Sequence, residues 1–193
     1  NMASSINISW RQILLADSKT LEPYGKNAPN IYLLHGDLTD EEMNSLYNHS
    51  KIKAMISFTK GEGFGRPLLE FGITGKPILA SNWSGQTDFL HKDHCVLLPG
   101  QTTEIHKSAA DQFLMKGTSW FTVDYAYAAK LIQDVYSNYK TYITRSRKQP
   151  KYIKDNFTRE QMQNKFISII DDKLKEIPQQ MEIKLPTLNK IKT

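Results

Sequence analysis

Four short apolar runs punctuate the first half of the chain: Ile31-Tyr32-Leu33-Leu34, Ala54-Met55-Ile56-Ser57-Phe58, Pro77-Ile78-Leu79-Ala80 and Cys95-Val96-Leu97-Leu98. None alternates polar with apolar, so each reads as a strand covered on both faces in a parallel sheet. Helical spacing fills the gaps. Thr39 or Asp40 caps a helix through Glu41, Glu42, Met43, Leu46 and Tyr47, with Met43 and Leu46 on one face. Pro67 suits the first turn of a helix running to Ile73, and Gly75 stops it. Strand, helix and strand alternating at this spacing predict an α/β doubly wound parallel sheet.

After Gly100 the pattern becomes helical. Asp124 caps a helix to residue 138 through Tyr127, Ala128, Leu131, Ile132 and Val135. A second helix is expected from Tyr139 to Asp155. A third starts at the cap Thr158, carries Met162, Phe166, Ile169, Ile170 and Leu174, and ends before Pro178. Residues 1–176 therefore read as one domain with a C-terminal helical extension, and 177–193 as a tail. Near the start, a helix from Ile8 or Ser9 to Ser18 is expected.

Charge changes the picture only at one end. From Lys140 onward there are 13 Lys and Arg against 6 Asp and Glu; residues 1–139 hold 12 against 14. The pI of 9.1 thus reflects a basic C-terminal segment. It is read as a solvated helix face and tail, with no nucleic-acid partner expected; association with an anionic membrane surface is the other use such charge has. The single cysteine, Cys95, excludes an internal disulfide and argues against a cysteine-built zinc site. With no apolar leader and no run long enough to cross a bilayer, a cytoplasmic setting is expected.

The densest chemistry lies in Lys60-Gly61-Glu62-Gly63-Phe64-Gly65-Arg66-Pro67-Leu68-Leu69-Glu70. The loop follows a strand and opens a helix, where open α/β sheets bind ligands. Its glycines admit a close backbone approach, and free N–H groups at a helix start suit phosphate or sugar oxygens. Glu62 and Glu70 are ionised acceptors, each able to hold two neighbouring hydroxyls. On residues alone, a glycine-rich surface loop with an exposed glutamate and a helix-start glutamate is an equal alternative.

The Glu62-to-Glu70 spacing resembles the E-x7-E motif of retaining glycosyltransferases of the GT-B fold, the glycosyltransferase group 1 (family 4). Upstream, Leu33-Leu34-His35-Gly36-Asp37-Leu38 with Glu41-Glu42-Met43 and Leu46-Tyr47 is similar to that family's strand, glycine and helix. Downstream, Phe71-Gly72-Ile73-Thr74-Gly75-Lys76-Pro77-Ile78-Leu79-Ala80-Ser81 resembles its E-a-m-a-x-G-k-P-v-i-a-s continuation. Ser84-Gly85-Gln86-Thr87-Asp88 stands where the family has G-G-x-p-E. The match spans about residues 30–175.

The resemblance implies a Rossmann-like half of a GT-B fold that binds a nucleotide-diphosphate sugar of UDP or GDP type, with no metal and no other cofactor. It implies Glu62 as the catalytic residue facing the donor sugar and Glu70 on the ribose hydroxyls. The backbone of Gly63, Phe64 and Gly65 would contact sugar or diphosphate. Gly36, Asp37 and Leu38 would line the base, with Lys60 a weaker phosphate ligand and Arg66 on the surface. The family's G-R-x-x-x-K segment, whose cations neutralise the departing diphosphate, has no counterpart; Trp10-Arg11-Gln12 does not supply it. The chain is accordingly expected to lack its first strand or strands and an acceptor-binding N-terminal domain. A partner of that kind would complete the enzyme.

Other chemistries are weaker. No Asp-x-Asp triplet occurs, and His91-x-x-His94-Cys95 reads as a surface turn before a strand. Ser84-Gly85 lacks nucleophile-elbow spacing, and Cys95 reads as a small buried hydrophobe. Trp83 is read as packing on the sheet more readily than rimming a sugar site, and Trp120, Phe121, Tyr125 and Tyr127 as docking the last helices. Three N-x-S/T sequons begin at Asn48, Asn82 and Asn156; without a leader they carry no argument. Two functions of different class remain: the donor-binding half of a retaining, metal-independent glycosyltransferase, or a non-catalytic nucleotide-sugar or basic interaction module.

Overall fold

The computed structural model describes residues 12–15 and 31–176; the expected tail over 177–193 lies outside them. The chain divides into two compact units, residues 1–153 and 154–193. In the first, β1 (Gln12–Leu15) pairs antiparallel with β2 (Tyr32–His35), Ile13 opposite Leu34 and Leu14 opposite Leu33. This corrects two expectations. The described part of the helix expected over residues 8–18 is a strand, because Ile13, Leu14 and Leu15 are consecutive and build no helical stripe. β2 is not covered on both faces, since Tyr32 is 61% and Leu33 52% exposed; an antiparallel pair requires only one covered face.

Helix α1 (Asp40–Asn48) opens with a reciprocal cap. The Thr39 hydroxyl accepts from the Glu42 N–H at 3.2 Å, and the Glu42 carboxylate accepts from the Thr39 N–H at 2.9 Å. Strand β3 (Met55–Ser57), helix α2 (Arg66–Gly72), strand β4 (Ile78–Ser81) and strand β5 (Val96–Leu98) follow. β3, β4 and β5 form a parallel three-stranded sheet in that order, with Ile56 opposite Leu79 and Ala80 opposite Leu97. The structure is therefore mixed α/β around a small parallel sheet. β4 is buried throughout, while the edge strand β3 leaves Ile56 exposed. Leu68, Phe71 and Gly72 give α2 its buried face at the i, i+3, i+4 spacing. Gly75, at φ +70°, ends the turn in the conformation a glycine tolerates best.

An antiparallel ribbon, β6 (Gly100–Glu104) with β7 (Ser119–Val123), was not expected from the pattern. β6 is nearly all polar and its partner lies beyond a long connection, so neither strand announces itself locally. Phe121 and Val123 point into a core with Leu79, Val96, Leu98, Ala128 and Val135. Phe121 thus joins the sheet to α3 (Tyr125–Ser137), which Asp124 caps by accepting from the Tyr127 N–H at 2.9 Å.

The helix expected over 139–155 is two: α4 (Tyr139–Ser146) and α5 (Gln149–Asn156). Pro150 has no N–H to donate to a preceding turn and is tolerated only at a helix start. The break serves docking. Arg145 donates to the Cys95 carbonyl at 2.6 Å, Ser146 to that of His94 at 3.1 Å, and Gln149 to that of Phe89 at 2.5 Å. In the second unit, α6 (Arg159–Glu176) begins after Thr158, whose hydroxyl accepts from the Gln161 N–H at 3.2 Å. Among the described residues no helix is long and apolar enough to cross a membrane.

Candidate functional site

The site forms where two loops leave the carboxyl ends of adjacent parallel strands. After β3 the chain runs through Lys60-Gly61-Glu62-Gly63-Phe64-Gly65 into α2; after β4 it runs through Asn82-Trp83-Ser84-Gly85. The loops are clasped at the Glu62 backbone, by a hydroxyl and by an N–H. The Ser84 hydroxyl donates to the Glu62 carbonyl at 2.6 Å and accepts from the Glu62 N–H at 3.2 Å. The Gly85 N–H donates to the same carbonyl at 3.0 Å. A Cβ on Gly85 would stand 2.2 Å from the Gly63 carbonyl oxygen, closer than any heavy atoms can pack. Glycine is the residue this approach permits.

A buried amide braces the clasp from beneath. Gln86 has no exposed surface, and its Nε2 donates to the Ser81 carbonyl at 3.0 Å and hydroxyl at 2.9 Å. The Ser81 hydroxyl in turn donates to the Thr59 carbonyl at 2.9 Å. Gly65 starts α2 at φ +87°, where a Cβ would meet Glu62 Cγ at 3.2 Å and Gln86 Cβ at 3.3 Å. The half-buried Glu62 side chain thus lies beside the helix entrance. Phe64 packs on Phe89, ring centres 5.2 Å apart.

The β6–β7 ribbon supplies a third wall. The Phe121 N–H donates to the Lys60 carbonyl at 3.0 Å, and the Lys60 ammonium lies 4.2 Å from the centre of the Trp120 ring. Trp83 stacks on Phe121 with ring centres 5.5 Å apart and planes within 1°. The sheet-packing reading of Trp83 is therefore half the picture: one face is packed, yet 44% of the residue is open.

Glu70 occupies a different setting. Its carboxylate accepts from Arg66 Nε at 2.5 Å, and Arg66 Nη2 reaches Asp40 at 3.6 Å. With Asn44, Tyr47 and Ile73 these residues line a groove of about 300 Å³ between α1 and α2. The hydrogen bond to Glu70 raises the Arg66 pKa above its ordinary value. Partial burial, with the Glu70 charge, raises that of Tyr47. Gly36, at φ +128°, turns the chain out of β2, and Asp37 and Leu38 lead into Asp40. Thus Glu62, Gly63, Phe64, Gly65 and Lys60 share one walled loop. Glu70 lines the α1–α2 groove, Gly36 to Leu38 are joined to it only by leading into Asp40, and among the described residues the two glutamates share no hydrogen-bond partner.

The remaining candidate groups serve packing. His91 and His94 stack at 4.5 Å beside Tyr152; burial first, then His91, lowers the His94 pKa. Burial pushes the Cys95 thiol up to about 12, leaving it protonated and inert. Among the described residues no cluster of three or more His, Cys, Asp or Glu could hold a metal. Sequence reasoning assigned no role to Ser84 or Gln86. Their sole local signal is a serine and glutamine flanking a glycine after a buried strand, which does not disclose a partner 22 residues upstream. No protein-family model, curated protein or solved structure matches the chain.

Proposed function

We propose that this chain is the donor-binding half of a retaining, metal-independent glycosyltransferase, a Rossmann-like unit of GT-B type that takes a nucleotide-diphosphate sugar. The observation that carries the reading is the clasped loop pair: Glu62 stands among glycines at the carboxyl ends of β3 and β4, the edge of a parallel sheet at which ligands bind. Gly63 and Phe64 present backbone there, with Gly63 exposed. In this reading the Glu62 carboxylate accepts hydroxyls of the donor sugar, and Glu70 accepts the ribose hydroxyls across the entrance of α2. Gly36 to Leu38 border the base, and Lys60 approaches the diphosphate. Departure of the diphosphate places negative charge on the leaving oxygen, and stabilising that charge requires cations supplied from elsewhere. The acceptor then attacks from the face the leaving group vacates, which retains the anomeric configuration.

Thermal unfolding against UDP, GDP, ADP, CDP and dTDP tests this, with Glu70→Ala as control. A nucleotide at about 100 times its dissociation constant stabilises by about 2.7 kcal/mol, a rise of a few degrees for a domain of this size. A rise with one nucleotide that Glu70→Ala removes is the expected outcome; flat curves with all five, on the chain extended at its N-terminus as well, overturn the reading.

One observation favours the second reading, a non-catalytic binding module. The Glu70 carboxylate is already engaged by Arg66, so ribose hydroxyls must compete with a cation for it. Salt-sensitive binding to a polyanion that ignores Glu70 would support that module.

A further inference from the structure

The donor-site reading gives no role to the aromatic pair beside the loop, Trp83 on Phe121, yet its placement is specific. Trp83 directly precedes Ser84, the residue whose hydroxyl both accepts from and donates to the Glu62 backbone. Phe121, on which Trp83 lies flat, donates its own N–H to the Lys60 carbonyl. Trp83 and the backbone that carries Glu62 are thus tied to one frame from two directions, by the Ser84 hydroxyl and by the Phe121 N–H. Ser84 holds this arrangement with φ at +70°, a conformation costly for a residue with a side chain. Phe121 stacks against the indole with parallel planes, and nearly half of Trp83 remains open.

We propose that Trp83, backed by Phe121, is the platform on which the sugar ring of the ligand stacks, fixing that ring against Glu62. This rests on the donor-site reading and adds the residue that distinguishes a nucleotide sugar from a bare nucleotide. The chemistry is complementary. The face of a pyranose presents polarised C–H bonds, which meet the negative face of an aromatic ring, while its edge presents hydroxyls to an ionised carboxylate. Stacking on Phe121 holds the indole in place before the ligand arrives, so little side-chain freedom is lost on binding. A nucleobase could also stack on an exposed indole, but the base expectation falls on Gly36 to Leu38, which precede the α1–α2 groove.

The test compares, by calorimetric titration, the nucleotide diphosphate that stabilises the chain with its sugar conjugate, on wild type, Trp83→Ala, Trp83→Leu and Trp83→Phe. Trp83→Leu retains apolar bulk against Phe121 without an aromatic face, and so guards against a variant that merely fails to fold. The sugar conjugate is expected to weaken about three- to tenfold with Ala and Leu, and much less with Phe. The nucleotide diphosphate should change less than twofold in all three. Equal weakening of both ligands means base stacking or a structural loss, and overturns the platform. Unchanged binding of both overturns the platform alone, leaving the donor site standing. Silence of wild type toward every nucleotide and conjugate overturns platform and donor site together.

Discussion

The two glutamates that the sequence pairs by spacing sit in contrasting surroundings. Glu62 lies in a loop whose own main chain is held: its backbone makes two hydrogen bonds with the Ser84 hydroxyl and one with the Gly85 N–H, beside a glycine contact with no room for a methyl group and above a buried amide. Glu70 lies in a groove organised by side chains, Arg66 and Asp40, that are largely in water. Geometry of the first kind is set by sterics and is indifferent to salt; geometry of the second kind is screened and rearranges readily. In the proposed donor site, a ligand would meet a fixed template at Glu62 and an adjustable one at Glu70.

The sharpest way to break this contrast is Gly85→Ala. Its methyl group must displace the Gly63 peptide, and a loss of about 2–3 kcal/mol is expected from urea unfolding. Gly63→Ala, in the same loop, meets nothing within 4 Å and should stay within about 0.5 kcal/mol; equal losses would mean that the clasp is not the rigid part. Next comes Gln86→Leu, which leaves the Ser81 carbonyl buried without its donor and should cost about 1–2 kcal/mol by the same measurement.

A smaller effect is expected from acid. His94 has a folded pKa below its ordinary 6.5, so the unfolded chain takes up the proton first. The stability it contributes is present above that value and is lost as pH falls through the folded pKa. The groups facing it are His91, Asp93, Lys148 and the Tyr152 ring. Urea midpoints between pH 7 and 5 should fall in wild type, and less in His94→Asn. The smallest change belongs to Arg66→Ala, for which the thermal midpoint should not move measurably. Its nucleotide affinity is the informative readout. A rise would mean that the guanidinium competes for Glu70, a fall that it serves the ligand, and either should fade in 0.5 M salt, where screening acts within about 5 Å.

What could be read beforehand followed from how local the information was. The apolar runs at Met55–Ser57, Ile78–Ser81 and Val96–Leu98 were legible because short apolar stretches between helical spacings suit the strands of a parallel sheet. The caps at Thr39, Asp124 and Thr158 were equally visible, since a cap and its N–H partner lie three residues apart. Pro150 marked the start of α5, and a reading that carried one helix through it missed a signal in plain sight. Non-local features stayed hidden. Gly100-Gln101-Thr102-Thr103-Glu104 becomes a strand only because Ser119–Val123 comes back to pair with it. The loop carrying Glu62 was legible from its glycines, whereas the clasp that holds it depends on a serine 22 residues away.

One contact has a consequence for the order in which the molecule assembles. The Lys76 ammonium, in the turn before β4, donates to the Tyr47 and His49 carbonyls at 2.6 and 2.9 Å, tying off the end of α1 from 27 residues downstream of His49. Helix α1 has 9 residues, too few to persist alone in water. A chain emerging from its N-terminus therefore cannot finish α1 when α1 appears. The two bonds that tie off its end can form only once β3, the Glu62 loop and α2 have been made.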